Sequence, residues 1–398
     1  MFSENKKIIA AIDVGNSKIA SMIAGLSPDG AISLLGVGNK ASEGMQHGSI
    51  TNVKAARASI ASSIYEAELA AGQNIDAVIV NISSHLIKAN LVKVTSKLNG
   101  KQVLTKDLEK AADATIRNVD LSKYEILDNS LLYHDLDSME KIKDPEFMFA
   151  NTLTSYGSIV TVPVKFLINL STCLLGCQLK ASDFIIGSYA SALVCASDEE
   201  RENGCIVVDI GGDLLEYITI KHNKIIDCGA IPIGGKAITK DIANYFSINF
   251  FEAERIKNLY STLYDFSYDE ERAIEMKGTG TGINKDMLNQ VVRARFEEII
   301  SMFIDIIARK KINKECFNNI IFTGGSSNFA GIEDFIKNRF GIKIRKENPK
   351  YINIAEDFDL NASFSTALGL IKYHAARYKN NDDDFSLKKV FSWLKQNF

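Results

Sequence analysis

The chain has no excess of basic residues: 46 Lys and Arg stand against 49 Asp and Glu, for a net charge of -3. That removes the counterion-release driving force of nucleic-acid binding, so nucleic acid is not an expected partner. Cysteine is sparse, six residues at 173, 177, 195, 205, 228 and 316 with no CxxC pair. Buried free thiols in a reducing cytoplasm are expected rather than a disulfide framework. Five histidines lie scattered without metal-ligand spacing and read as ordinary surface or core residues. Long apolar runs are missing as well. The first, IIAAI, is cut at Asp13, too early for a signal-peptide core, and none approaches a membrane-spanning length. What remains is a soluble globular composition, 46% hydrophobic and 24% charged, in 398 residues, enough for two domains or one bilobed body.

The most informative stretch is Cys205 to Ile220, CIVVDIGGDLLEYITI. An apolar run ends in Asp209, a Gly211-Gly212 turn follows, and a second apolar run leaves it. A β-hairpin of this kind brings bare backbone amides near an anion and leaves a carboxylate for a hydrated metal ion. Alone, such a Gly-Gly between strands is more often just a plain hairpin turn. The same order recurs in IIAAIDVGNSKIASMI, where Asp13 and Gly15 stand 196 residues before Asp209 and Gly211. Two further glycine turns, IPIGG at Gly234-Gly235 and FTGG at Gly324-Gly325, make turn statistics a poor account of the set. They describe two similar lobes facing each other across a nucleotide.

Taken in order, IIAAIDV, KIASMIAGL and AISLLGVGNK read as a three-strand meander. Val53, Ala56, Ile60, Ile64 and Ala67 then fall at helical spacing, with Gly72 as the stop, and DAVIVNIS follows as a strand. From about Ser84 to Pro163 the chain turns polar and irregular, the size of an inserted subdomain. KDLEKAADATIRNV reads as helix there, LDNSLLYHDLDSMEKIKDPEFM does not, and GSIVTVPV returns to strand. A helix from Lys165, the strand DFIIGS and one helix YASALVCASDEERENG lead into the second hairpin. Beyond it come a helix after IPIGG, the helix FFEAERIKNLYS, a Gly/Thr loop MKGTGTGINKD, a long amphipathic helix and the strand-turn-helix around Gly324.

The motifs IDVGNSKI, GVGNKASEGMQHGSI, VVDIGG, IPIGGKAITKDIA, AERIK, IFTGGSSNFAGIEDF, FSTALGL and SWLKQNF, in that order and over nearly the whole chain, resemble the actin-like ATPase superfamily and, within it, the FtsA family of bacterial cell division proteins. The resemblance implies an α/β, bilobed actin-like fold, a duplicated ribonuclease H-like unit with an inserted subdomain in the first lobe and a C-terminal amphipathic helix. It implies the division 1–83 with 164–203 (subdomain IA), 84–163 (IC), 204–231 with 313–374 (IIA), 232–312 (IIB), an acidic linker 375–384 and a membrane-targeting helix 385–398. It implies ATP and magnesium between the lobes. Asp13, Gly15, Asn16, Ser17 and Lys18 would form the first phosphate loop and Asp209, Gly211 and Gly212 the second, the aspartates holding magnesium through water. Gly234, Gly235 and Lys236 would line the cleft. Glu254 and Lys257 would reach ribose and adenine, and Gly324, Gly325 and Ser326 would pass beneath them. Spacing alone leaves Glu254 and Lys257 as a surface pair one turn apart.

The family's role implies self-polymerisation, tethering of FtsZ filaments to the cytoplasmic face of the inner membrane at the division site, and other division proteins as partners. The C-terminal peptide of FtsZ would dock on the subdomain holding Asp286 to Ile312, where Arg293, Arg295, Arg309 and Lys310 would meet acidic residues; a solvated helix face explains these four equally well. The alternative is a small-molecule kinase or chaperone-like ATPase of the same superfamily. Such enzymes place an acid or amide near the helix between lobes, and IIGSYASALVCA offers none, so at most weak ATPase activity is expected. The second loop also departs from its relatives. Where they carry a third Gly, a hydroxyl residue and an Asp, this chain has Asp213, Leu214, Leu215 and Glu216. Asp213 is expected to point outward, sparing ATP binding while turnover suffers.

In the tail, AARYKNNDDD reads as a polar linker and FSLKKVFSWLKQNF as an amphipathic helix capped by Asp384. Leu387, Val390, Phe391, Leu394 and Phe398 share one face at about 100° per residue. Lys388, Lys389 and Lys395 lie opposite, and Trp393 sits at the boundary. Either the helix docks on its own domain or, as the lysines and Trp favour, it binds an anionic membrane surface. Three lysines are worth about 3 kcal/mol there, so one tail binds reversibly and a polymer of tails binds stably.

Overall fold

The computed structural model describes residues 7–28, 30–264, 273–275, 282–310, 314–350 and 360–379. The chain opens on an antiparallel meander of β1 (Lys7–Val14), β2 (Lys18–Leu26) and β3 (Ile32–Ala41). A short pair, β4 (Met45–Gln46) and β5 (Ser49–Ile50), precedes α1 (Val53–Ala71). Asn52 caps α1 by accepting from the Ala55 amide at 3.1 Å, and Gly72 ends it in the left-handed conformation that only glycine enters without strain. Ala56, Ile60, Ile64 and Ala67 are buried as expected. Val53, assigned to the same stripe, is exposed at the first turn. β6 (Ala77–Ile82) then pairs parallel to β1.

The insertion is a sheet rather than an irregular excursion: β7 (Lys88–Gln102), α2 (Thr105–Ile116), β8 (Tyr124–Leu136), β9 (Met139–Ile142) and β10 (Phe149–Pro163), with strand order β7-β10-β8-β9. Residues 127–148, expected to be irregular, hold the end of β8 and all of β9. Leu132, His134 and Leu136 are buried while the residues between them are half-exposed, so the strand signal is an alternation carried partly by polar side chains. His134 fits because burial pushes its pKa down to about 4, keeping the imidazole neutral against the Ser155 hydroxyl at 2.8 Å. The sheet also touches the second half of the chain, Ser158 donating to the Ile226 carbonyl at 3.3 Å.

After α3 (Val164–Leu175), β11 (Lys180–Ile186) pairs parallel to β6 and completes the sheet β11-β6-β1-β2-β3. The single helix expected next is two, α4 (Gly187–Cys195) and α5 (Asp198–Asn203). Ala196 is extended between them, and Ser197 starts α5 through a reciprocal cap with Glu200.

The second half repeats the plan. β12 (Cys205–Ile210), β13 (Leu215–Lys221) and β14 (Lys224–Ile231) form a meander. α6 (Gly235–Phe246), α7 (Phe250–Tyr260), the pair β15 (Ala273–Glu275) and β16 (Gly282–Asn284), α8 (Lys285–Arg309) and α9 (Lys314–Phe317) follow. Residues 276–281 of the expected Gly/Thr loop lie outside the described residues. β17 (Ile320–Thr323) pairs parallel to β12, α10 (Ile332–Phe340) returns, and β18 (Ile344–Lys346) pairs parallel to β17. The order β14-β13-β12-β17-β18 matches β3-β2-β1-β6-β11 strand for strand. One core lies around Phe296 of α8 and Phe322 of β17; the other joins the first sheet to α4 and α11 (Ser365–Lys379). α11, grouped by sequence with the second lobe, packs on α4, β1, β2 and β6. It also carries helix through residues 375–379 of the expected linker, where Ala375 is buried and Arg377 pairs with Asp183. The residues expected to bind a membrane, Leu387, Lys388, Lys389, Val390, Phe391, Trp393, Leu394, Lys395 and Phe398, lie outside the described residues. Among those described, no helix is long and apolar enough to cross a membrane.

Candidate functional site

The β1–β2 and β12–β13 turns close in the same way. The Gly15 amide donates to the Lys18 carbonyl at 3.1 Å, and the Gly211 amide donates to the Leu214 carbonyl at 2.8 Å. The two turns face each other so closely that a Cβ on Gly212 would lie 1.8 Å from the Ser17 hydroxyl. Lys236 crosses between them, its ammonium 2.7 Å from the Asn16 carbonyl while its own amide donates to Gly212. From the far side Gly324, at φ 90°, presses under Asp209, and the Ser326 hydroxyl donates to the Gly211 carbonyl at 3.1 Å. The result is a cavity of about 410 Å³ between the lobes.

Asp13, Gly15, Asn16, Ser17, Lys18, Asp209, Gly211, Gly212, Lys236, Glu254, Lys257, Gly324, Gly325 and Ser326 all line it. Gly234 and Gly235 do not; they lie behind the second turn, where the Gly235 amide donates to the Gly211 carbonyl at 3.0 Å. Asn16 contributes backbone, because its side chain is turned away to accept the Gly48 amide at 2.9 Å. Lys257 is buried, its ammonium 2.7 Å from Glu254 and 2.9 Å from the Thr239 hydroxyl, so the two form an internal network rather than a surface pair. Burial lowers the Lys257 pKa. For Glu254 burial is the largest single effect and acts upward, but the Lys257 charge together with hydrogen bonds from Lys257, Thr239 and Asn258 outweighs it and holds the carboxyl below its usual range.

The electrostatics are those of a site for positive charge beside the amides of the two glycine turns. Burial pushes the Asp13 carboxyl up to about 7, with Lys18 opposing and Asp209 reinforcing the rise. Burial raises Asp209 as well, against hydrogen bonds from Ser191 at 2.7 Å and Thr366 at 3.4 Å. Lys18 is lowered to about 8 by burial; it donates to the Ser363 hydroxyl at 2.8 Å and rests 3.2 Å from the centroid of the Phe364 ring. A third carboxylate, Glu216, stands opposite Asp209 in the β12–β13 register and is raised well above its usual range by burial and by both aspartates. Sequence reasoning noted Glu216 as a departure from pattern but did not place it in the cleft. Pairing outward from the turn would have put it there. Ser191, Ser363 and Thr366 were also missed, since they sit in stretches that read as helix packing.

Asp213 is absent from the lining. Its carboxylate is held by Lys236 at 3.2 Å, while its carbonyl meets the His47 ring at 3.3 Å. Of the four cations expected to meet a partner peptide, Arg295 is bound by Asp241 and Glu298, Lys310 by Asp227 at 3.0 Å, and Arg293 by the Tyr264 carbonyl. Arg309 is exposed at the last turn of α8. These residues do not form one free basic face.

Among the described residues no group of three acidic, His or Cys side chains is arranged to hold a metal directly. The donor set still suits a hydrated magnesium ion: Asp13, Asp209 and Glu216 offer hard oxygens and are each destabilised as buried anions.

Duplicated sheets whose glycine turns meet across a cleft define an actin-like fold. Solved structures agree on the fold: a PilM–PilN type IV pilus biogenesis complex matches 92% of this chain and 98% of that one with a TM-score of 0.65 at 15% identity. MreB5 of Spiroplasma citri bound to ADP matches 94% and 98% with a TM-score of 0.56 at 13% identity. The family model for the cell division protein FtsA matches residues 206–369. Curated FtsA proteins align along the whole chain: that of Rhizobium meliloti (strain 1021) is 26% identical over 100% of this chain and 96% of the relative. That of Borreliella burgdorferi is 28% identical over 98% and 96%, and that of Escherichia coli (strain K12) 23% identical over 99% of each. The chain has an actin-like fold and aligns with cell division FtsA proteins over nearly its full length.

Proposed function

We propose that the chain binds ATP with magnesium between its lobes, polymerises, and tethers FtsZ filaments to the cytoplasmic face of the membrane at the division site, with weak or no hydrolysis. The observation that carries the nucleotide reading is the apposition of the two glycine turns with Asp13 and Asp209 at their bases. The amides around Gly15, Ser17, Gly211 and Gly212 would cradle phosphate oxygens. Asp13 and Asp209, with Glu216 beside them, would hold the water shell of magnesium, which supplies charge neutralisation at the phosphates. Glu254 and Lys257 would take the ribose and adenine, with Gly324, Gly325 and Ser326 beneath. The MreB5 structure bound to ADP supports a nucleotide in this cleft.

Weak turnover follows from what α4 lacks: of its polar side chains, Ser188, Ser191 and Cys195 face buried surroundings, and none is an acid or amide. The Lys236 contact neutralises Asp213 and spares binding. FtsZ and other division proteins as partners rest on kinship with FtsA. The FtsZ C-terminal peptide is placed on the region of α8. The membrane contact is placed on residues 385–398, by their charge and apolar pattern.

Two measurements test these readings. Saturating ATP with magnesium should raise the unfolding midpoint by a few degrees, as expected of about 2.7 kcal/mol at a hundred times Kd, and Asp13→Ala should remove the shift. A wild type indifferent to ATP would refute the cleft. Co-sedimentation with anionic liposomes should drop several-fold for Trp393→Glu or for deletion from Phe385, and unchanged pelleting would refute the anchor.

A further inference from the structure

A second cavity, about 180 Å³, lies in the first lobe behind the first glycine turn. Its walls are apolar: Val14, Met45, Ile50, Leu86, Phe166 and Leu170. Lys165 and Asn169, both exposed on the first turns of α3, stand at its edge. Among the described residues Lys165 has no ion-pair or hydrogen-bond partner. A cavity of about 150 Å³ with aliphatic walls accommodates a benzene ring, whereas drug-sized ligands need about 300 Å³ or more. The shape therefore suits a single ring with a short head, and the unpaired ammonium at the edge selects an anionic one.

The polar part of the wall is what holds the first turn in place. Asn81, fully buried, accepts the Val14 amide at 2.7 Å and donates to the Ser83 hydroxyl at 2.9 Å. Gly48 donates to Asn16 at 2.9 Å. Ser83 lines both cavities and hydrogen-bonds Glu216. Each of these groups touches the small cavity on one side and a residue of the cleft on the other.

We propose that this cavity is an effector site for a small aromatic carboxylate, whose occupancy shifts the first glycine turn through Asn81, Gly48 and Ser83. The ring fills the apolar walls, the carboxylate meets Lys165 and Asn169, and the turn between Val14 and Lys18 responds. Binding is independent of the nucleotide reading; the effect on ATP rests on it.

The probes are benzoate and its neutral analogue benzamide, titrated into the full-length, nucleotide-free chain and followed by calorimetry. Benzoate should bind about three- to five-fold more tightly than benzamide, the worth of an exposed ion pair. Lys165→Glu should erase or invert that preference while leaving the melting temperature unchanged. Met45→Trp, which fills the cavity from the β4 hairpin, should weaken both ligands at least about ten-fold, as expected when a ring-sized space is closed. No binding of either probe, an unchanged benzoate preference in Lys165→Glu, or displacement of benzoate by ATP in direct competition would each overturn the site. With benzoate bound, ATP affinity should change at least about three-fold, a coupling on the order of 1 kcal/mol. Unchanged ATP affinity would overturn the effector role. A chain that binds benzoate as described but not ATP would refute the nucleotide reading and uphold this site.

Discussion

Alanine at position 324 is expected to abolish ATP-dependent stabilisation and to lower the unfolding midpoint of the free chain. Gly324 sits at φ 90°, and a Cβ built there falls 2.2 Å from an Asp209 carboxylate oxygen and 2.7 Å from the backbone nitrogen and oxygen of Ile210. Rotating Asp209 relieves the side-chain clash only at the expense of its bonds to Ser191 and Thr366. The Ile210 clash has no such relief, because the atoms are backbone at the end of β12, held opposite Leu215 of β13. Left-handed strain alone costs about 1–2 kcal/mol for a residue with a Cβ, and displacement of β12 adds to it, so a loss on the order of 3 kcal/mol or more is expected. Gly325→Ala is the control: its φ is negative and its Cβ would meet only the Ser363 Cβ at 3.4 Å, an ordinary contact. Thermal unfolding with and without ATP and magnesium separates the two variants. A Gly324→Ala chain that keeps a wild-type ATP shift would refute the geometry of the cleft.

Asp13→Asn is expected to act in opposite directions on stability and on binding. The folded chain raises the Asp13 pKa from an ordinary 3.8 to about 7, through burial above all, with Lys18 opposing and Asp209 adding. The folded state therefore binds the proton more tightly than the unfolded state. This contribution to stability is fully present below the ordinary value and is lost as pH rises toward 7. At pH 8 the carboxylate is a net cost, even with the Lys18 attraction included. Removing it should stabilise the ligand-free chain at pH 8 by about 1–2 kcal/mol, a discounted figure because Asp13 and Lys18 titrate together. Near pH 4 the substitution should be close to neutral. The same change should eliminate the ATP and magnesium shift, since the carboxylate that destabilises the empty cleft is the one a cation would neutralise. Denaturant titrations at the two pH values, without magnesium, are the measurement. A variant less stable than wild type at pH 8 would show that Asp13 is already compensated.

The cleft was legible because its parts are local and repeated. An apolar strand, an aspartate and a glycine turn need only a dozen residues, and the chain spells the unit twice, so Asp13, Asp209 and their glycines were found together. Gly324 was legible for a related reason, as a glycine pair closing a strand. The inserted sheet was not, since β8 alternates buried Leu132, His134 and Leu136 with half-exposed residues and presents no apolar run. The break between α4 and α5 was written in Ser197 and Glu200, a cap signal masked by the helical residues around it. Ser191, Ser363 and Thr366 meet the aspartate loops only after α4 and α11 have packed, through contacts spanning from 18 to 345 residues of sequence. No local pattern encodes such a meeting.

The packing of α11 has a mechanical consequence. Gly369 lies so close to α4 that a Cβ there would fall 1.8 Å from the Ala190 carbonyl oxygen, so the two helices meet backbone to backbone at this point. On one side of it, about 4.5 Å along the axis, Thr366 touches Asp209; on the other, about 12 Å away, Arg377 grips Asp183. A tilt of the helix about this contact would move its Arg377 end between two and three times as far as its Thr366 end, in the proportion of the two arms. Tilted so, the helix would act as a lever whose short arm rests on the cleft and whose long arm ends at the Arg377–Asp183 pair.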